Sequence, residues 1–72
     1  MGAMDVRRKF GKRLRELREA EGWSQEEFAD RAGLHRTYVS AVERGVRNPT
    51  LSVLARIAKA LGITLSDLVQ TV

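Results

Sequence analysis

Four glycines, Gly22, Gly33, Gly45 and Gly62, divide the chain at intervals of 11 to 17 residues, and each follows a stretch whose apolar residues recur every three or four positions. A glycine at such a place accepts the positive φ on which helices commonly end. The starts are marked as well. Ser24-Gln25-Glu26-Glu27 is a capping box, with Trp23 and Phe28 placed as the hydrophobic staple around it. Thr64-Leu65-Ser66-Asp67 repeats the scheme with aspartate in the glutamate position, and Ile63 and Leu68 supply its staple. Pro49 ends a loop before Thr50, a residue suited to cap the next helix. Between these marks the apolar residues keep helical spacing: Val6, Phe10, Leu14 and Leu17, then Leu51, Leu54, Ile57, Ala58 and Leu61. No useful stretch alternates at period two. The pattern predicts an all-α protein, a compact bundle of five helices near 5–21, 25–32, 36–44, 51–61 and 65–70. Gly11 interrupts the first helix at a cost of roughly 1 kcal/mol against alanine, which marks either a close contact or a weak point.

Composition narrows the chemistry. A chain of 72 residues makes one domain. Residues 1–4, Met1-Gly2-Ala3-Met4, read as a vector-derived scar before a native Met4, which leaves 5–72 as the domain; Val6 stands where a myristoylation signal needs Ser or Thr. With no cysteine and a single histidine there is no disulfide, no thiolate site and too few soft ligands for zinc, so neither a metal nor another cofactor is expected, and a reducing cytoplasm fits. No apolar run approaches the ~20 residues needed to cross a bilayer. The net charge of +4 and a pI near 10.4 favour polyanionic partners. Much of the excess lies in the first quarter, where Arg7, Arg8, Lys9, Lys12, Arg13, Arg15 and Arg18 outnumber Asp5 and Glu16. Such a cluster is more often a solvated helix face than a binding surface.

The segment from Gln25 to Arg44 is the most restrictive part of the chain. It reads as a short helix, a three-residue turn and a second helix. Ala29 is small where a steeply crossing helix would meet a larger side chain, and Gly33 permits the sharp turn. Phe28, Ala32, Leu34, Val39 and Val42 supply one apolar seam between the two helices. At 100° per residue Tyr38, Val39, Val42 and Glu43 fall inward, leaving Arg36, Thr37, Ser40, Ala41 and Arg44 outward. That outer face carries no acid and little bulk. Arg can bond guanine in a bidentate manner, Ser and Thr can bond several bases, and Ala or the Thr methyl can meet a thymine methyl, which suits the face to the major groove of double-stranded DNA.

From Trp23-Ser24-Gln25 through Arg36-Thr37-Tyr38-Val39-Ser40 to Arg47-Asn48-Pro49-Thr50, the chain resembles the lambda-repressor-like, XRE-type helix-turn-helix family, with agreement from about Leu14 to Leu68. The Arg-Thr-Tyr-Val-Ser and Arg-Asn-Pro-Thr segments are similar to those of restriction-modification controller proteins, small standalone members. The resemblance implies a five-helix bundle and a transcription regulator that binds a palindromic operator as a dimer. Carried over by position, it implies base reading by Arg36, Thr37, Ser40 and Ala41. Gln25 takes the place of a residue that bonds a phosphate and braces the recognition helix, and Tyr38, Arg44, Arg47 and Asn48 match positions that touch the backbone or neighbouring base edges. Tyr38 is equally suited to the edge of the core. Arg18 and Glu43 match a partly buried ion pair between helices 1 and 3. Glu26 and Asp30 match acids that touch RNA polymerase in activating relatives, although Glu26 also suits a helix N-terminus on electrostatic grounds alone, and a repressor is at least as good a reading as an activator. His35 departs from the pattern, standing where Ser, Thr or Asp often caps helix 3; an exposed turn residue is the simpler reading.

Ile63, Leu65, Leu68, Val69 and Val72 make an apolar C-terminal end that either packs into the core or forms a two-fold homodimer, setting two recognition helices roughly 34 Å apart. Other roles compatible with the fold are an antitoxin or protein-interaction bundle, and the DNA-binding domain of a longer regulator. A chain that ends at Val72 without a linker favours a nearly complete protein. A membrane-surface role for helix 1 conflicts with the use of its apolar stripe in the core. An enzyme finds no support: no nucleophile, base and acid stand in a recognisable arrangement, and no glycine loop precedes Lys-Ser or Lys-Thr.

Overall fold

The computed structural model describes residues 3–72, with side chains from Val6 onward. Met1 and Gly2, half of the segment read as vector-derived, lie outside the described residues. The described chain folds into five helices: α1 Ala3–Ala20, α2 Gln25–Ala32, α3 Arg36–Glu43, α4 Leu51–Leu61 and α5 Leu65–Leu68. No strand is present among the described residues. Helix α3 packs on both α1 and α2, α4 packs on α2, and α5 on α4.

The caps set these boundaries. At α2 the Ser24 hydroxyl accepts from the Glu27 amide at 3.0 Å and the Glu27 carboxylate accepts from the Ser24 amide at 3.1 Å. Thr50 Oγ1 accepts from the Val53 amide at 3.2 Å and Thr64 Oγ1 from the Asp67 amide at 3.0 Å. The Trp23 and Phe28 rings stack with centroids 6.3 Å apart, closing the staple beside Ser24. Helix α5 ends two residues before its sequence-based limit. The Arg13 guanidinium, reaching across from α1, donates to the carbonyls of Asp67 at 2.6 Å and Leu68 at 3.3 Å, and the chain beyond turns back on itself with Thr71 at φ +71°.

The core holds Phe10, Leu14, Phe28, Ala29, Ala32, Val39, Val42, Ile57, Ala58 and Leu68. Five residues of the predicted stripes fall outside it: Leu17, Leu54 and Leu61 lie half-buried against it, and two are exposed. Val6 is 51% exposed and Leu51, at the first position of α4, is 69% exposed; both stand near the starts of their helices. Gly11 is a close contact. A Cβ built there would lie 2.4 Å from the Glu43 carbonyl oxygen and 2.6 Å from that of Val42, so α1 and α3 touch backbone to backbone.

Candidate nucleic-acid interface

Helix α3 is fixed from within. Val39 and Val42 are each 1% exposed, and beside them the Glu43 side chain is turned into the bundle. Arg18 grips it twice, Nε donating to Oε2 at 2.7 Å and Nη2 to Oε1 at 3.0 Å, while Arg18 Nη1 donates to the Trp23 carbonyl at 2.7 Å. Gln25 Nε2 donates to Glu43 Oε1 at 3.0 Å. One carboxylate therefore ties α1, α2 and α3 together, and its charge is met by a fork-shaped cation whose planar donors match it. The hydrogen bond to Glu43 raises the Arg18 guanidinium above its already high ordinary value, with burial acting in the opposite direction. Gln25 thus braces α3 through Glu43. On the far side of the turn, Arg56 Nη1 of α4 donates to the Gly33 carbonyl at 3.3 Å.

The opposite side of α3 is open. Arg36, Thr37 and Arg44 are exposed and Ser40 and Ala41 half-exposed. Arg36, Thr37, Ser40, Arg44 and Gln25 line one shallow groove. Arg44 Nε donates to the Ser40 carbonyl at 3.4 Å, which lays its side chain back along the helix. The five outward residues contain no acid, and the one acid within α3, Glu43, is neutralised internally. A phosphate-lined duplex approaching this face meets cations and hydroxyls first.

A second hollow lies beside it, lined by His35, Thr37, Tyr38, Ala41, Val46 and Arg47. Tyr38 is half-buried against the core edge, and the Arg47 guanidinium lies 5.4 Å from the centre of its ring. His35 is exposed, precedes α3 in extended conformation and makes no side-chain cap bond. Asn48 stands apart from this group, in a different hollow shared with Val6, Arg7, Phe10, Pro49, Leu54, Val69 and Val72. Glu26 lies next to Arg36 in a hollow that also includes Ser24 and Gln25, while Asp30 is exposed farther along α2.

The C-terminal residues divide. Leu68 is 0% exposed and belongs wholly to the core, so it offers no surface to a partner. Ile63, Leu65 and Val72 are half-buried against the core, and Val69 is 38% exposed. The basic cluster of α1 is partly structural: Arg18 holds Glu43, Arg13 holds the end of α5, and Arg15 pairs with Glu19 at 3.2 Å. The sequence assigns no separate role to Arg13 or to Val46. The partners of Arg13 lie 54 and 55 positions away. Val46 follows its glycine as Trp23, Leu34 and Ile63 follow theirs.

The chain matches the HTH_3 helix-turn-helix family model over residues 14–68. It is 48% identical over 65 residues to the control protein C.MunI of Mycoplasma sp, covering 89% of this chain and 88% of that one. Among solved structures, the restriction-modification controller protein C.AhdI from Aeromonas hydrophila superposes with a TM-score of 0.89 at 47% identity, covering 94% of this chain and 99% of that one. The biofilm master regulator SinR in complex with DNA superposes with a TM-score of 0.77 at 30% identity, over 82% of this chain and 95% of that one. With the family pattern spanning the capped helices, the turn and the clamped second helix just described, the protein belongs to the HTH_3 helix-turn-helix family, of the XRE type.

Proposed function

We propose that the protein is a sequence-specific regulator of transcription that lays α3 in the major groove of double-stranded DNA. The observation that carries this reading is the asymmetry of α3: an acid-free outer face with Arg36, Thr37, Ser40, Ala41 and Arg44, on a helix whose inner face is locked by the Arg18–Glu43–Gln25 cluster. Base edges are read by Arg36, Thr37, Ser40 and Ala41. Arg44, Arg47, Tyr38 and Gln25 fix the register on the phosphate backbone, with Asn48 reaching a flanking segment. The controller proteins among its relatives and the DNA-bound SinR favour the same role. Such a regulator, bacterial or phage-borne, works in the cytoplasm and joins the nucleoid when bound to DNA.

The protein acts as a homodimer on a palindromic operator. Val69 and Val6, with the apolar hollow they share with Phe10, Leu54 and Val72, form the contact between copies, alongside Ile63 and Leu65. Sedimentation at tens of micromolar tests the assembly, and a monomer both with and without operator removes it. Asp30, exposed on α2, is the acid best placed to touch RNA polymerase in an activating mode. A reporter unaffected by Asp30→Ala while operator binding persists rejects activation through that residue.

The deciding experiment is selection of bound duplexes from a random library at about 150 mM salt, a concentration at which counterion release keeps non-specific binding weak. The native chain is expected to enrich a palindrome and an Arg36→Ala, Thr37→Ala variant is not. Enrichment by neither moves the protein to a protein-interaction role. Enrichment of the same palindrome by both takes base reading away from Arg36 and Thr37.

A further inference from the structure

Four helices of this protein end on the same device. A glycine after the helix donates its amide to the carbonyl three residues back, and the next residue donates to the carbonyl five residues back. These pairs are Gly22 and Trp23 at 2.9 and 3.3 Å, Gly33 and Leu34 at 3.3 and 2.8 Å, Gly45 and Val46 at 3.0 and 2.9 Å, and Gly62 and Ile63 at 3.1 and 3.0 Å. The residue after the glycine is apolar in all four, as this motif favours, because its side chain ordinarily packs back on the last turn. Trp23, Leu34 and Ile63 do so and lie half-buried against the core. Val46 departs from them and is 58% exposed.

A single exposed valine is ordinary. Its surroundings give this one direction. Val46 shares a hollow with Thr37 and Ala41, two residues of the outer face of α3, and the hollow is bordered by His35, Tyr38 and Arg47. The valine is also held in place. Its amide and that of Arg47 both donate to the Ala41 carbonyl, at 2.9 and 3.3 Å. The preceding Gly45 is buried against Arg8 so closely that a Cβ would lie 2.9 Å from Arg8 Cγ. Thr37, Ala41 and Val46 thus bring three apolar groups to one hollow bordered by polar and cationic residues, and two of the three belong to the outer face of α3. In the major groove the apolar group that an unmodified base edge presents is the C5-methyl of thymine.

We propose that Val46, from the loop beyond the recognition helix, reads a thymine methyl, closing with Thr37 and Ala41 a notch that takes that group and discriminates against cytosine, whose C5 bears hydrogen. The proposal rests on the DNA-binding reading above and adds to it a specificity residue outside α3.

The test uses the operator that the native chain selects, with each thymine replaced singly by deoxyuridine, which removes the methyl and leaves the base pairing intact. At one thymine in each half-site the native protein is expected to lose about 4-fold in affinity, the effect of withdrawing one buried methyl. Val46→Ala is expected to bind the thymine operator about 4-fold more weakly per half-site and to prefer thymine over deoxyuridine there by clearly less than the native chain does. Because Val46 is exposed, its melting temperature stays that of the native chain. A native protein indifferent to every replacement, or a Val46→Ala variant that keeps the native preference for thymine, overturns the proposal while leaving the DNA-binding reading intact. Failure of the native chain to select any duplex overturns both.

Discussion

The two sides of α3 follow opposite rules. On the inner side nearly every group has a fixed partner: Val39 and Val42 in the core, Glu43 between Arg18 and Gln25, and the backbone against Gly11. On the outer side Arg36, Thr37 and Arg44 are exposed to solvent, tied by at most a local bond from Arg44 to the Ser40 carbonyl. The difference separates two properties that share one helix of eight residues and its C-cap residue, Arg44. Stability is decided by the inner groups, where a lost partner strands a buried charge. In the proposed mode of binding, recognition falls to the outer ones, where a lost side chain leaves no hole.

This separation can be broken, and the strongest attempt is Arg18→Ala. Removing one partner of a buried ion pair leaves the other uncompensated, so the variant is expected to lose about 3–5 kcal/mol in denaturant or thermal unfolding. An unchanged melting temperature rejects the clamp. Gly11→Ala comes next and tests the sign of an effect: helix propensity alone predicts a gain of about 1 kcal/mol. Contact with the Glu43 carbonyl instead predicts a net loss of roughly 1–3 kcal/mol as α1 is pushed off α3. On the outer side, Arg36→Ala is expected to leave unfolding unchanged and to weaken operator binding by about 10- to 100-fold, the worth of one bidentate base contact. A comparable loss on unrelated duplexes would reassign Arg36 to the phosphates. The smallest effect sharpens the boundary between the two sides: His35 opens α3 without a side-chain cap, so His35→Ser is expected to stabilise the fold by about 1 kcal/mol in the same unfolding assay.

What the sequence discloses follows the range of the interactions. Caps and helix-ending glycines act over three to five residues, and the bounds of α2 and α4 are read from Ser24, Gly33, Thr50 and Gly62 without loss. The end of α5 escapes such reading because Arg13 sets it from across the bundle. Gly11 announces a cost but not the carbonyls that explain it. Apolar periodicity assigns Val6 and Leu51 to the core and leaves the destination of Leu68 open. Only the packed ends of the helices reveal that the first two are exposed and the third is sealed. In the site, the outward set on α3 follows from helical geometry alone. Arg18 with Glu43, 25 positions apart, is visible only through resemblance to a family. Val46 is visible only in three dimensions, because nothing local distinguishes it from Trp23, Leu34 or Ile63 after their glycines.

The internal grip on Glu43 also bears on the thermodynamics of docking. A helix already held by neighbours on two sides has no folding to complete on the duplex, so little conformational entropy is lost on that account when DNA arrives. The heat-capacity change of association then reflects the apolar surface covered at the interface, without the large negative contribution that accompanies coupled folding. Calorimetry of operator binding at several temperatures would thus measure the footprint of a rigid reading head, and a residue exchanged on its outer face would alter which sequence is read far more than the heat capacity of reading it.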